Sequence, residues 1–189
     1  MKSVAVVEGW AGGPKLSGLF TKALQNNNFQ LVKDIRSADI IFAHSTGCYL
    51  LPRYNQAKLL LLVDPPYWPG RSIAGRWLDL MKTDWSLLKS GAGANSFISK
   101  KLWELYYIFA KPSFSWSVLK NQSHLDFLEK HRDKKIILLR NQTDQFCSPK
   151  IADELKNYKN VNYLEFPGDH ENYYINPQPY IDLLLKELK

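Results

Sequence analysis

Cysteine is scarce in this chain, and long apolar runs are missing from it. Cys48 and Cys147 are its only cysteines. Two are too few for a disulfide framework, and no Cys/His spacing suits a metal ion. No window approaches the roughly 20 consecutive apolar residues that a membrane-spanning helix requires, so no membrane span is expected. The first apolar stretch, Val4-Ala5-Val6-Val7, is too short for a secretory signal and reads as a strand. A cytoplasmic location follows as the simplest expectation. Basic residues also lack concentration. The formal charge is +7 and the pI about 9.3, yet Lys and Arg are scattered, with small clusters only at Lys100-Lys101 and Lys134-Lys135. No basic helix, zinc-finger spacing or RNA-binding signature accompanies them, so nucleic acid is not an expected partner. Internal repeats and low-complexity tracts are absent.

What is present is a chain of globular composition and ordinary domain size. Its 189 residues are 45% hydrophobic and 13% aromatic, enough for one compact domain with a sizeable core. Residues 3–7 are β-rich and end in Gly9-Trp10-Ala11-Gly12-Gly13-Pro14. Leu16, Leu19, Phe20, Ala23 and Leu24 then recur at helical spacing, closed by Asn26-Asn27-Asn28. Residues 29–35 and 40–43 can be strands. Continuous apolar runs at 59–63 and 136–139, and the run 161–166, suit strands buried on both faces. Ser148-Pro149 opens a helix with Ile151, Ala152 and Leu155 inward, and Asn176-Pro177 opens the last one. Strands alternating with helices predict an α/β protein with a mainly parallel sheet.

Between the fourth and fifth strands the pattern changes. Residues 65–132 hold Trp68, Trp77, Trp85, Trp103, Tyr106, Tyr107, Phe109, Phe114 and Trp116, without a strong strand run. The segment reads as a helical, aromatic-rich insertion capping the strand ends of a single domain, 1–189. Its aromatics equally suit an ordinary core between helices.

Three residues at strand ends carry the chemistry. Asp39-Ile40-Ile41-Phe42 runs into Ala43-His44-Ser45-Thr46-Gly47, a small-x-Ser-x-Gly turn that holds a hydroxyl clear of a sheet. A serine hydroxyl is a weak nucleophile and needs a base, which needs an orienting group. His170, in Phe166-Pro167-Gly168-Asp169-His170-Glu171, can swing over Ser45 as that base. Asp144, between the strand 136–139 and Pro149, can accept the imidazole N–H, with Asp64 as the runner-up acid. His44 is expected to point away from the nucleophile, Asp169 not to reach back to the ring, and His124 and His131 to be solvated. The N–H of Thr46, after the serine, and that of Trp10, with Ala11 as its neighbour, are candidate oxyanion donors. The Gly9–Gly13 loop matches neither dinucleotide-binding nor P-loop spacing.

These pieces together resemble the α/β-hydrolase superfamily, in which Ser, Asp and His follow in this chain order. The nearest likeness is to small serine hydrolases related to retinoblastoma-binding protein nine, through the Gly-rich loop, the His44-Ser45-Thr46-Gly47 elbow, the acid loop 143–149 and the loop 168–170. The resemblance implies a carboxylesterase-like serine hydrolase with Ser45, Asp144 and His170 as triad. It implies a small-molecule acyl substrate and no cofactor or metal. The different-class alternative is a non-catalytic binding or interaction protein on the same fold; a Rossmann-like nucleotide binder is a third. Three features depart from the pattern. The first elbow position is Ala43 where glycine is commoner, although alanine is still small. Pro52 comes early after the elbow, predicting a short or kinked helix. The link from 29–35 to 40–43 is only residues 36–39, whereas neighbouring parallel strands need a crossover of about a dozen residues. Either a helix is lost or the strands are arranged differently.

Overall fold

A computed structural model describes residues 1–9, 18–70, 72, 74–75, 78, 93–110, 112–113, 115 and 125–188. Six strands form one sheet: β1 (Lys2–Val7), β2 (Phe29–Leu31), β3 (Ile40–His44), β4 (Leu59–Val63), β5 (Lys135–Asn141) and β6 (Val161–Phe166). Their order is β2-β1-β3-β4-β5-β6, and every neighbouring pair is parallel. The described helices are α1 (Gly18–Asn26), α2 (Gly93–Ala110), α3 (Asp126–Glu129), α4 (Ile151–Leu155), α5 (Asn172–Ile175) and α6 (Gln178–Glu187), with a 3-10 helix at Ser45–Leu50.

The central strands carry continuous apolar runs, at 40–43, 59–63 and 136–139, because both faces of the sheet are covered. Ile41, Leu60, Leu62, Ile136 and Leu138 pack on one face with Phe127, Leu128, Ile151 and Leu155 from α3 and α4. Ile40, Phe42, Leu59, Leu61, Ile137 and Leu139 pack on the other with Phe20 and Leu24 of α1 and Tyr180, Ile181 and Leu184 of α6. Both faces of β4 are sealed, so its five residues are all buried.

The short link after β2 has a simple resolution. β2 and β3 are not neighbours, because β1 lies between them. The strand at 29–35 also ends earlier, at Leu31. Asp34 turns the chain there, its Oδ1 accepting from Arg36 N at 3.0 Å and its carbonyl from Ser37 N at 3.3 Å. The eight residues 32–39 can reach about 26 Å when extended. Leu31 and Ile40 both register with Val4 of β1, so the link has only to cross two strand spacings, about 10 Å, well within that reach. No helix is required. Asp39 fastens the far end, accepting from Ser3 N at 2.9 Å and from Ser3 Oγ at 2.8 Å.

Two other expectations shift. The fifth strand continues past Leu139 through Arg140 and Asn141, since each polar side chain finds partners. Arg140 donates to the Cys147 carbonyl at 2.6 Å and to that of Gln142 at 3.0 Å. Tyr180 Oη donates to Asn141 Oδ1 at 2.8 Å. α4 begins at Ile151 rather than Pro149, after a turn in which Ile151 N bonds the Ser148 carbonyl at 3.0 Å. In the segment 65–132, Trp77, Trp85, Phe114 and Trp116 lie outside the described residues. Tyr67 and Trp68 are buried; Tyr67 bridges Cys147, and Trp68 Nε1 donates to the Gln145 carbonyl at 2.8 Å.

Candidate functional site

The carboxyl ends of parallel strands share one edge of the sheet, where loops converge. Gly9 follows β1, Ser45 follows β3, Asp64 follows β4, Asp144 lies after β5 and His170 after β6. The local sequence accounts for the sharp turn at Ser45. Its φ of 54° lies in the left-handed region, a conformation that costs a side-chain-bearing residue about 1–3 kcal/mol unless its surroundings impose it. Two glycines do so by letting β1 approach. A Cβ on Gly47 would strike the carbonyl oxygen of Val7, and one on Gly9 would lie 2.8 Å from Ser45 Cβ and 2.9 Å from Thr46 N. The 3-10 helix then stops at Leu50. Leu51 is already extended, with φ −64° and ψ 128°, as a residue before proline prefers.

The structure brings His170 and Asp144 into direct contact. His170 Nδ1 donates to Asp144 Oδ2 at 2.9 Å, with both residues buried. The other oxygen, Oδ1, accepts from Phe146 N at 2.6 Å. Burial opposes the Asp144 charge, but His170 and the Phe146 N–H outweigh it and hold the carboxyl below its usual value. The Phe146 ring stands edge-on to the imidazole, 4.5 Å between centroids. Ser45 is half-buried, and its hydroxyl bonds to no described residue. Thr46 is buried beside Gly9. Trp10 and Ala11, the other oxyanion candidates, lie outside the described residues, as does His124. Asp169 caps its own turn, Oδ1 accepting from Glu171 N at 3.1 Å.

Asp64 does not take the place of Asp144; it stands behind it. It is fully buried with φ 48°. Oδ1 accepts from Asn141 N at 2.7 Å and Oδ2 from Asn141 Nδ2. Burial, and then the charge of Asp144, push its carboxyl well above the usual range, so it is the protonated member of the pair and shares a side-chain hydrogen bond with Asp144. A nitrogen each of His44 and His170 and one oxygen of Asp64 lie within 4.8 Å of one another, close enough to surround a cation. The same side chains also make protein hydrogen bonds: His170 Nδ1 with Asp144, Asp64 Oδ1 with Asn141 N, and His44 Nε2 with the His170 carbonyl.

His44 is the residue that sequence reasoning undervalued. Its ring leaves the serine but not the site: Nε2 donates to the His170 carbonyl at 2.9 Å, and the two imidazoles are 4.5 Å apart. Burial, then the neighbouring His170, push it down to about 3, so it is neutral. Glu8 was also unforeseen. Its Oε2 accepts from Tyr173 Oη, and from Tyr174 Oη at 3.2 Å, and lies 4.0 Å from His44 Nδ1. A charged residue directly after an apolar strand was the available signal. His131, expected in solvent, is buried, in a turn whose His131 N donates to the Leu128 carbonyl at 3.0 Å.

Comparison with protein-family models and with curated protein sequences gives no match. Solved structures do match. One is an α/β hydrolase from Sphaerobacter thermophilus, at TM-score 0.65 and 11% identity over 100% of this chain and 93% of that one. The chain has the α/β-hydrolase fold. A carboxylesterase from the ammonia-oxidizing thaumarchaeon Nitrososphaera gargenis is similar at TM-score 0.71 and 10% identity, over 99% of this chain and 89% of that one. An N-formylmaleamic acid deformylase from Pseudomonas putida is similar at TM-score 0.62 and 14% identity, over 96% and 90%.

Proposed function

We propose that this chain is a serine hydrolase that cleaves a carboxylic ester or a related acyl bond. The observation that carries the reading is the buried His170–Asp144 hydrogen bond at 2.9 Å, on the same strand edge as a serine held at φ 54°. Ser45 Oγ attacks the acyl carbonyl while His170 Nε2 takes its proton. Asp144 fixes the Nδ1–H tautomer and stabilises the imidazolium. The N–H groups of Thr46 and Trp10 hold the oxyanion. His170 returns the proton to the leaving alcohol, then activates a water that hydrolyses the acyl-enzyme. The similar carboxylesterase favours an ester. Residues 65–132 are proposed as the cap over this edge, in one domain, supplying apolar contacts to the acyl group. Ser45 and His170 need not be bonded at rest, because such contacts often tighten only with substrate bound.

A fluorophosphonate probe tests this reading. The wild type is expected to be labelled at Ser45, with labelling lost in Ser45→Ala and His170→Ala. A folded wild type that takes no label, including at long exposure, would favour a non-catalytic binding protein.

A further inference from the structure

Helix α2 presents apolar side chains where a packed helix presents polar ones. Ile98, Leu102, Leu105 and Phe109 recur at i, i+4, i+7 and i+11, which aligns them along one side of an α-helix. A helix packed on a core buries such a stripe. Here the stripe is exposed: 53% for Ile98, 63% for Leu102, 51% for Leu105 and 79% for Phe109, with Tyr106 beside it at 49%. The adjoining face is the more buried one, and it carries an ion pair. Glu104 is buried, and Lys101 Nζ meets its Oε2 at 2.6 Å. Five large apolar side chains along one helix exceed the scattered exposure normal for a soluble surface and mark an interaction face.

Charge identifies the occupant. The chain carries +7, and residues 82–120 hold six lysines against Asp84 and Glu104. A second copy would bring the same positive charge against itself, whereas an anionic lipid surface complements it. Tyr106, beside the stripe, is a residue type favoured at the headgroup level. Among the described residues no helix is long and apolar enough to cross a membrane, so contact is made in the plane of the surface. We propose that α2 docks this protein on an anionic lipid surface, its stripe from Ile98 to Phe109 entering the boundary between headgroups and acyl chains.

Vesicle co-sedimentation of the full chain tests this without turnover. Wild type and Ser45→Ala are both expected to bind phosphatidylcholine vesicles containing about 30% phosphatidylserine. Binding is expected to fall at least tenfold on phosphatidylcholine alone and to weaken in about 0.5 M salt. Leu102→Ser/Phe109→Ser, checked for an unchanged melting temperature, is expected to lose at least tenfold; Leu102→Ala/Phe109→Ala serves if the first variant melts early. Absence of binding by the wild type would overturn the proposal. So would equal binding by a folded double variant, or a wild-type dimer that the double variant turns into a monomer. Failure of probe labelling with vesicle binding intact would sink the hydrolase reading and leave this one standing.

Discussion

His44 Nε2 donates to the carbonyl oxygen of His170 at 2.9 Å across 126 positions of sequence. The end of β3, which bears the proposed nucleophile, is thereby tied to the loop that bears the proposed base. His44→Ala removes this buried hydrogen bond and the ring packing against His170 and Tyr173. The expected cost is about 1–3 kcal/mol of stability, read by denaturant melts. The rate of fluorophosphonate labelling is expected to drop by about tenfold, since a loosened base loop misplaces its imidazole. Unchanged stability and labelling would show that the bond does not hold the loop.

The same histidine makes stability depend on pH. Its folded-state value of about 3 lies below the ordinary 6.5, so below 6.5 the unfolded chain takes up a proton that the folded chain refuses. Stability is therefore full above about 6.5 and falls toward 3, by about 1.4 kcal/mol per pH unit from this group. Buried His131, also pushed down, adds the same sign. Asp64, pushed up, opposes them above about 3.8, where only the unfolded chain has lost its proton. Comparing wild type with His44→Asn isolates one contribution: between pH 4.5 and 6.5 the variant's stability is expected to fall less steeply. Parallel slopes would refute a buried neutral His44.

Asp64 is expected to tolerate an amide better than truncation. Asp64→Asn keeps one acceptor for Asn141 and a donor toward Asp144, at a cost of about 1 kcal/mol. Asp64→Ala leaves the Asn141 backbone N–H and side-chain amide without their acceptors, at about 2–4 kcal/mol. Thermal melts of the two variants at neutral pH give the order, and a reversed order would contradict a protonated Asp64.

The two elbow glycines are expected to fail differently. A Gly47→Ala methyl meets the Val7 backbone carbonyl and can be relieved only by moving β1, so little folded protein is expected. At Gly9→Ala the methyl meets Ser45 Cβ and Thr46 N. That variant is expected to fold with reduced stability and to lose at least tenfold in labelling rate, because the methyl fills the space in front of the Thr46 N–H. Circular dichroism and labelling separate the two outcomes.

Much of the architecture was legible because periodicity is local. The run at 59–63 is β4 without adjustment, buried at all five positions, since a strand covered on both faces must be apolar throughout. The bounds 161–166 also hold for β6, but it is an edge strand of half-buried and exposed residues rather than one buried on both faces. Ser45, Asp144 and His170 could be picked out because turn chemistry and strand ends are written in neighbouring residues. Polar positions misled where partners distant in sequence satisfy them: Arg140 and Asn141 extend β5. His131 misled for another reason, being buried with no hydrogen-bond partner for either ring nitrogen among the described residues.

The sequence by itself determined the strands, their alternation with helices, and which side chains end up at strand ends, because these follow from backbone propensity and hydrophobic spacing. Only the tertiary structure decided that β1 separates β2 from β3, which dissolves the missing crossover. It also decided that Asp144 rather than Asp64 meets His170, and that His44 clamps the histidine loop. Each of these depends on contacts between segments far apart in the chain, where pleat register and sheet order, rather than any local pattern, set which groups meet.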